Sequence, residues 1–279
     1  MQTHFKQTLA AKAAISLLLL TGFTTPALAA DNLYVTAESP GIQQSSLYTN
    51  PNAFGAKNVI QDNFNYLAPG YYANGMPFNG NSAIGVYSQG GIQSANQYGG
   101  ASGSGRYFTI AAPFAAAPAT LTFTAPQRYF GFWLSALDKN NQLAFYSNST
   151  LVSSFSAQDV LDFINRQPNA QQYFGNPNSN FWGRDKQEPF AYLNFFAAPN
   201  NPNLTFNRIV LSNNNSRSTG FEADNFTIAS NYSNTSGRPI AVPFEVSSTW
   251  GIIMLAIGFA TRSLNITDKQ KKAKNLLQK

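Results

Sequence analysis

Tyr129-Phe130-Gly131-Phe132-Trp133-Leu134 is the stretch on which the fold turns. Apart from one glycine it consists of aromatic and aliphatic residues that favour extended backbone. Just upstream, Leu121-Thr122-Phe123-Thr124 alternates apolar and polar side chains, the period of a half-buried strand. Further strands are expected at 143–146, 151–155, 191–196, 204–211 and 221–229. Their turns are marked by Asp138-Lys139-Asn140-Asn141, Ser147-Asn148-Ser149 and Ser212-Asn213-Asn214-Asn215. Earlier in the chain, 33–36, 59–64 and 83–87 are candidate short strands. Seven glycines between Gly85 and Gly105 mark that stretch as loop, and none opens a helix with the Lys-Ser/Thr of a phosphate-binding loop. One short helix is expected: Ser156 as N-cap, Asp159 three residues on, an apolar face of Val160, Leu161, Phe163 and Ile164, and a stop at Arg166 and Pro168. Many short strands separated by turn signals imply a mostly β fold, an antiparallel β-sandwich of jelly-roll type.

The net charge lies at the ends. The chain carries a formal +6, but between Asp31 and Ile240 ten basic residues meet ten acids. A neutral body lacks the electrostatic footprint of phosphate-backbone binding, so nucleic acid is excluded as the expected partner. The basic excess sits at Lys6 and Lys12 and in the tail after residue 260. Residues 1–29 have the three parts of a secretory signal: a basic start, an apolar run over 13–20 and a small-residue cleavage site at Ala27-Leu28-Ala29. That run is short for a hydrocarbon core of about 30 Å. Cleavage before Ala30 would remove His4, the single histidine of a chain without cysteine. The mature protein then cannot build a Ser-His-Asp triad, a Cys-His pair or a typical zinc or haem site from its own side chains, which leaves oxygen-ligand and carboxylate chemistry.

After Pro243-Phe244-Glu245 the stretch Val246–Thr261 is uncharged, about 24 Å long as a helix, and is followed by Arg262, Lys269, Lys271, Lys272, Lys274 and Lys279. It reads as a membrane helix with its basic end held in the cytoplasm; the alternative is a buried C-terminal helix of the domain. The domain plan is therefore a signal peptide (1–29), a β-sandwich ectodomain (30–238) and a C-terminal segment (239–279) of tripeptide, membrane helix and basic tail.

This order of parts resembles the PEP-CTERM class of exosortase-sorted surface proteins, with Pro243-Phe244-Glu245 similar to the Pro-Phe-Glu variant of the signal in cyanobacterial members. The usual Pro-Glu-Pro is absent. Within the body, Arg128–Ala136, Leu143-Ala144-Phe145-Tyr146 and Gly220-Phe221-Glu222-Ala223-Asp224-Asn225-Phe226 resemble the β-sandwich ectodomains of such proteins. The resemblance implies export, a transient inner-membrane anchor, a sorting protease of exosortase type and a destination at the cell surface or matrix. It carries no activity.

Two groups of residues could carry chemistry. Glu222 and Asp224 share one side of a strand, and with Asp138 and backbone carbonyls they offer an oxygen set for a structural calcium; the alternative is a solvated turn or caps on backbone amides. Asp185 and Glu188 lie in Phe181-Trp182-Gly183-Arg184-Asp185-Lys186-Gln187-Glu188-Pro189-Phe190. Paired carboxylates are the minimum equipment of a His-free glycoside hydrolase, provided they face each other at about 5 to 10 Å. The same stretch reads as a glycan platform, with Trp182 and Tyr173 stacking on sugars, or as a salt-bridged surface loop. The 29 asparagines between Asp31 and Ile240 read as a property of the surface. The expected role is structural or adhesive and non-catalytic, in contact with polysaccharide or other envelope components, with a hydrolase as the alternative.

Overall fold

The computed structural model describes residues 33–112, 118–214 and 219–240, without the side chains of 238 and 239. The signal peptide with Ala27 and Ala29, the tripeptide Pro243, Phe244 and Glu245, the apolar stretch after it and the basic tail all lie outside the described residues. No helix among the described residues is long and apolar enough to cross a membrane.

The protein is mostly β with antiparallel pairing throughout. In chain order the strands are β1 (Leu33–Ala37), β2 (Ile60–Asp62), β3 (Gly70–Tyr72), β4 (Met76–Pro77), β5 (Gly85–Tyr87), β6 (Gly90–Ser94), β7 (Arg106–Ile110), β8 (Ala119–Gln127), β9 (Tyr129–Ser135), β10 (Asn141–Ser147), β11 (Thr150–Ser156), β12 (Ala191–Ala197), β13 (Phe206–Asn213), β14 (Phe221–Ala229) and β15 (Arg238–Pro239). The larger sheet runs β15-β1-β12-β9-β14-β7-β6-β3, with β2 also on β14; the smaller runs β11-β10-β13-β8-β5-β4. Among the described residues two α-helices accompany them, α1 (Ser46–Thr49) and α2 (Ala157–Asn165).

The deciding stretch forms β9, flanked by β12 and β14 in the middle of the larger sheet. Alternation sends Phe130, Phe132 and Leu134 into the core shared with the smaller sheet, where Phe130 meets Phe145 at 6.1 Å between ring centroids. Tyr129, Gly131 and Trp133 take the opposite face. Gly131 is there for space: a Cβ would lie 2.2 Å from the Tyr129 hydroxyl and 3.0 Å from the Tyr192 ring. That hydroxyl donates to Asn194 Oδ1 at 2.7 Å, and Asn194 stands opposite Gly131 in the β12 register. All residues of β9, β12 and β14 are buried. Antiparallel sandwiches often leave one sheet face to solvent; here loops cover the outer face of the larger sheet.

The expected strands from 121 onward all form, and the helix starts as read: the Asp159 carboxylate accepts from the Ser156 amide at 3.2 Å and the Ser156 hydroxyl at 2.8 Å. The candidate strand at 83–87 forms β5, and the loop reading of 85–105 is corrected, because the segment also contains β6. Its glycines make room for rings as well as turns: a Cβ on Gly90 would lie 2.3 Å from the Phe108 ring and 2.7 Å from Met76. The folded body also extends past residue 238. Strand β15 pairs with β1, the Ile240 amide donates to Val35 O at 2.8 Å, and Ile240 is buried.

Candidate functional site

The outer face of the larger sheet carries a layer of polar side chains under the loops. In β14, Phe221 and Ala223 point to the core, so Glu222 and Asp224 point outward. Across the sheet Glu222 pairs with Thr109 of β7 and Ser135 of β9, and Asp224 pairs with Trp133. The two acids then part company. Asp224 Oδ2 accepts from the Ala101 amide at 2.7 Å and Oδ1 from the Asn225 amide at 2.6 Å, which fastens the loop between β6 and β7 to the sheet. Burial pushes its carboxyl up to about 8, against the pull of those two amides and with a further push from the charge of Asp62.

Glu222 belongs to a different group. The Leu137 amide donates to Pro189 O at 3.0 Å, laying Asp138 alongside Glu188. The Gly220 amide donates to Asp138 Oδ2 at 3.2 Å, and a Cβ on that glycine would fall 1.7 Å from Glu222 Oε1. The Glu188 amide donates to Asp185 O at 3.0 Å, closing a turn that adds the fourth acid. Glu188 Oε2 and Asp185 Oδ2 are buried and receive no hydrogen bond, and so is the hydroxyl of Thr109 beside Glu222.

The electrostatics follow from that placement. Burial drives the Glu222 carboxyl well above its ordinary range, reinforced by the charges of Asp138, Glu188 and Asp185. Burial, with Asp138 and Asp185, pushes Glu188 up to about 7. Asp138 is raised by burial and eased by the Gly220 amide; Asp185 is raised by burial and eased by Arg184. The four acids thus sit in unequal environments, with Glu222 the most deeply buried and its protonated form the most favoured by burial.

Of the three expected calcium ligands, the structure brings Asp138 and Glu222 to one glycine and engages Asp224 elsewhere, on the Ala101 and Asn225 amides. No group of three or more acids among the described residues is arranged to hold a metal ion. The expected pair Asp185 and Glu188 does share one turn, joined from other segments by Asp138 and Glu222.

The two expected glycan contacts separate. Trp182 is 76% exposed. Tyr173 is corrected: it is 1% exposed, its hydroxyl donates to Glu38 O at 2.9 Å, and it packs into the core beneath the loop. Tyr98, in the loop between β6 and β7, is another exposed aromatic, at 44%. A second correction concerns asparagine. Asn141, Asn176, Asn178, Asn194, Asn213 and Asn225 are buried, and several of them tie loops to sheet. Asn176 Nδ2 donates to Gln97 O at 2.8 Å, Asn178 Nδ2 to Gly100 O at 3.1 Å, and Asn225 Nδ2 to Gln43 O at 2.8 Å. The density of Asn around 176–180 was the available signal; reading it as turn chemistry missed that a side-chain amide can replace backbone pairing between two loops. No protein-family model matches the chain, and no curated protein matches its sequence.

Proposed function

We propose that this chain is an exported cell-surface or extracellular-matrix protein of structural or adhesive type, whose jelly-roll body contacts polysaccharide through the loops covering its larger sheet. The signal-like residues 1–29 direct export. The segment after Ile240 holds the chain in the inner membrane until a sorting protease of exosortase type reads Pro243-Phe244-Glu245. The observation that carries the contact role is Trp182, a large ring left 76% exposed in a fold that buries both faces of its central strands. An exposed aromatic beside hydrogen-bonding side chains, here the exposed Asn180, Arg184 and Lys186, suits sugar rings, which present an apolar face edged with hydroxyls. Co-sedimentation of the purified full chain with extracellular polysaccharide tests this reading: it predicts protein in the pellet, and protein left wholly in the supernatant contradicts it.

A second reading is favoured by the meeting of Glu188, Glu222 and Asp138. In a His-free glycoside hydrolase, protonated Glu222 or Glu188 would donate to the leaving oxygen, and ionised Asp138 would act as base or nucleophile. Release of reducing ends from the same polysaccharide, abolished in Glu188→Gln, would move the protein into that class.

A further inference from the structure

We infer that the outer face of the smaller sheet binds a uronate-bearing polysaccharide, with Arg208 as the group that takes its carboxylate. This adds a second contact face to the adhesive reading and rests on that reading for the class of partner. Alternation fixes which side chains share the face. Leu121, Leu143, Phe145, Ile209 and Leu211 turn into the core, so their neighbours along β8, β10 and β13 turn outward. The register then sets those side chains in rows. One row runs Val86, Thr122, Arg208, Tyr146 and Leu151, across β5, β8, β13, β10 and β11 in turn. Beside it runs Thr120, Val210, Ala144 and Ser154, and beyond that Ser212 and Gln142.

Arg208 is set apart on this face. Its guanidinium lies 4.3 Å from the centroid of the Tyr146 ring, its neighbour in the row, and the stacking holds it against the sheet. Its Nε is buried and has no hydrogen-bond partner. The six strands of the sheet contain no other charged residue, so no carboxylate within them competes for it. Asp159, just beyond the end of β11, is already engaged by the Ser156 amide and hydroxyl. A stacked guanidinium is a planar donor fork suited to a carboxylate.

The occupant follows from the adjoining rows. Their small side chains leave a hollow lined by Gln142, Ala144, Ser154, Val210 and Ser212. Hydroxyl and amide groups on this lining suit sugar hydroxyls, and the hollow begins one row from Arg208, about 7 Å along the strands. A sugar ring seated there brings a carboxylate on its edge to the guanidinium. An acidic peptide would need a strand edge or apolar side-chain pockets, and a nucleic acid would need several cations.

The test is affinity electrophoresis of the detergent-solubilised full chain in gels containing alginate, dextran sulfate or dextran, with size-exclusion chromatography alongside. Retardation by alginate is expected, weakened about tenfold in Arg208→Gln, the scale of a lost charged hydrogen bond. Ala144→Gln, which fills the hollow from an outward position and keeps Arg208, should weaken it severalfold. Arg166→Gln, which removes an exposed cation from α2, is the control and should match wild type. If Arg166→Gln weakens retardation as much as Arg208→Gln, net charge alone is responsible and the proposal fails. Alginate retardation unchanged in both Arg208→Gln and Ala144→Gln overturns this site and leaves the adhesive reading standing, as does retardation by dextran alone. Retardation by dextran sulfate without alginate overturns the carboxylate, and no retardation by any polymer counts against both. If Arg208→Gln instead converts a dimer to a monomer, the face pairs two copies and the proposal fails.

Discussion

Glu222 and Asp138 meet at Gly220: the glycine amide donates to the Asp138 carboxylate, and the Glu222 carboxylate occupies the space where a side chain on that glycine would begin. Gly220→Ala is therefore expected to destabilise the fold by about 1–3 kcal/mol, the usual cost of forcing atoms into an occupied site. Adding Glu222→Ala to that variant should recover part of the loss. Additive losses in a double-mutant cycle, measured by denaturant unfolding, would show that the two groups do not compete for space.

The raised acids make stability pH-dependent. Folded-state values of about 7 for Glu188, about 8 for Asp224 and about 6 for Asp62 all exceed their unfolded values, so the folded state binds more protons than the unfolded state across that window. Stability is fully present below about pH 4 as far as these groups are concerned, and falls as pH rises through 6 to 8. The melting temperature should therefore be higher at pH 5 than at pH 8. Glu222→Gln, which keeps the shape and removes the charge, should narrow that gap, because burial and the neighbouring acids raise Glu222 in the same direction. A flat profile from pH 5 to 8 would contradict the buried placement of these acids.

Phe226 lies at the centre of the aromatic core, with ring centroids at 5.2 Å from Phe64, 5.4 Å from Phe130 and 5.5 Å from Phe132. Phe226→Ala should cost about 3–5 kcal/mol. Val86→Ala, on an exposed position of β5, should cost well under half of that by the same unfolding measurement.

The start of α2 rests on Ser156 and Asp159. Ser156→Ala should lose about 1 kcal/mol, and Asp159→Asn less, since the amide oxygen can still accept. Equal stability of Ser156→Ala and wild type would mean the helix is held by Val160 and Ile164 in the core and not by its cap.

Much of the fold was legible in the chain. The strand at 129–134 is a run of aromatic and aliphatic residues broken by one glycine, and the helix announces itself through Ser156 and Asp159. The strand from Gly90 was not legible, because a glycine placed to admit the Phe108 ring looks the same in sequence as a glycine placed to turn. Nor could the sequence tell Tyr173 from Trp182, two aromatics in one irregular stretch, one capped by a Glu38 carbonyl deep in the fold and one left in water. The acid cluster was half legible. Asp185 and Glu188 are neighbours in the chain, whereas their meeting with Asp138 and Glu222 depends on three segments converging at one end of the strands.

Where the protein goes and how its ends are processed decide most directly whether it is an exported, sorted surface protein. Mass measurement of the protein recovered from the envelope and matrix fractions should give a chain beginning at Ala30 and ending near Pro243-Phe244-Glu245. A full-length chain from Met1 to Lys279 found in the cytoplasmic fraction would contradict it.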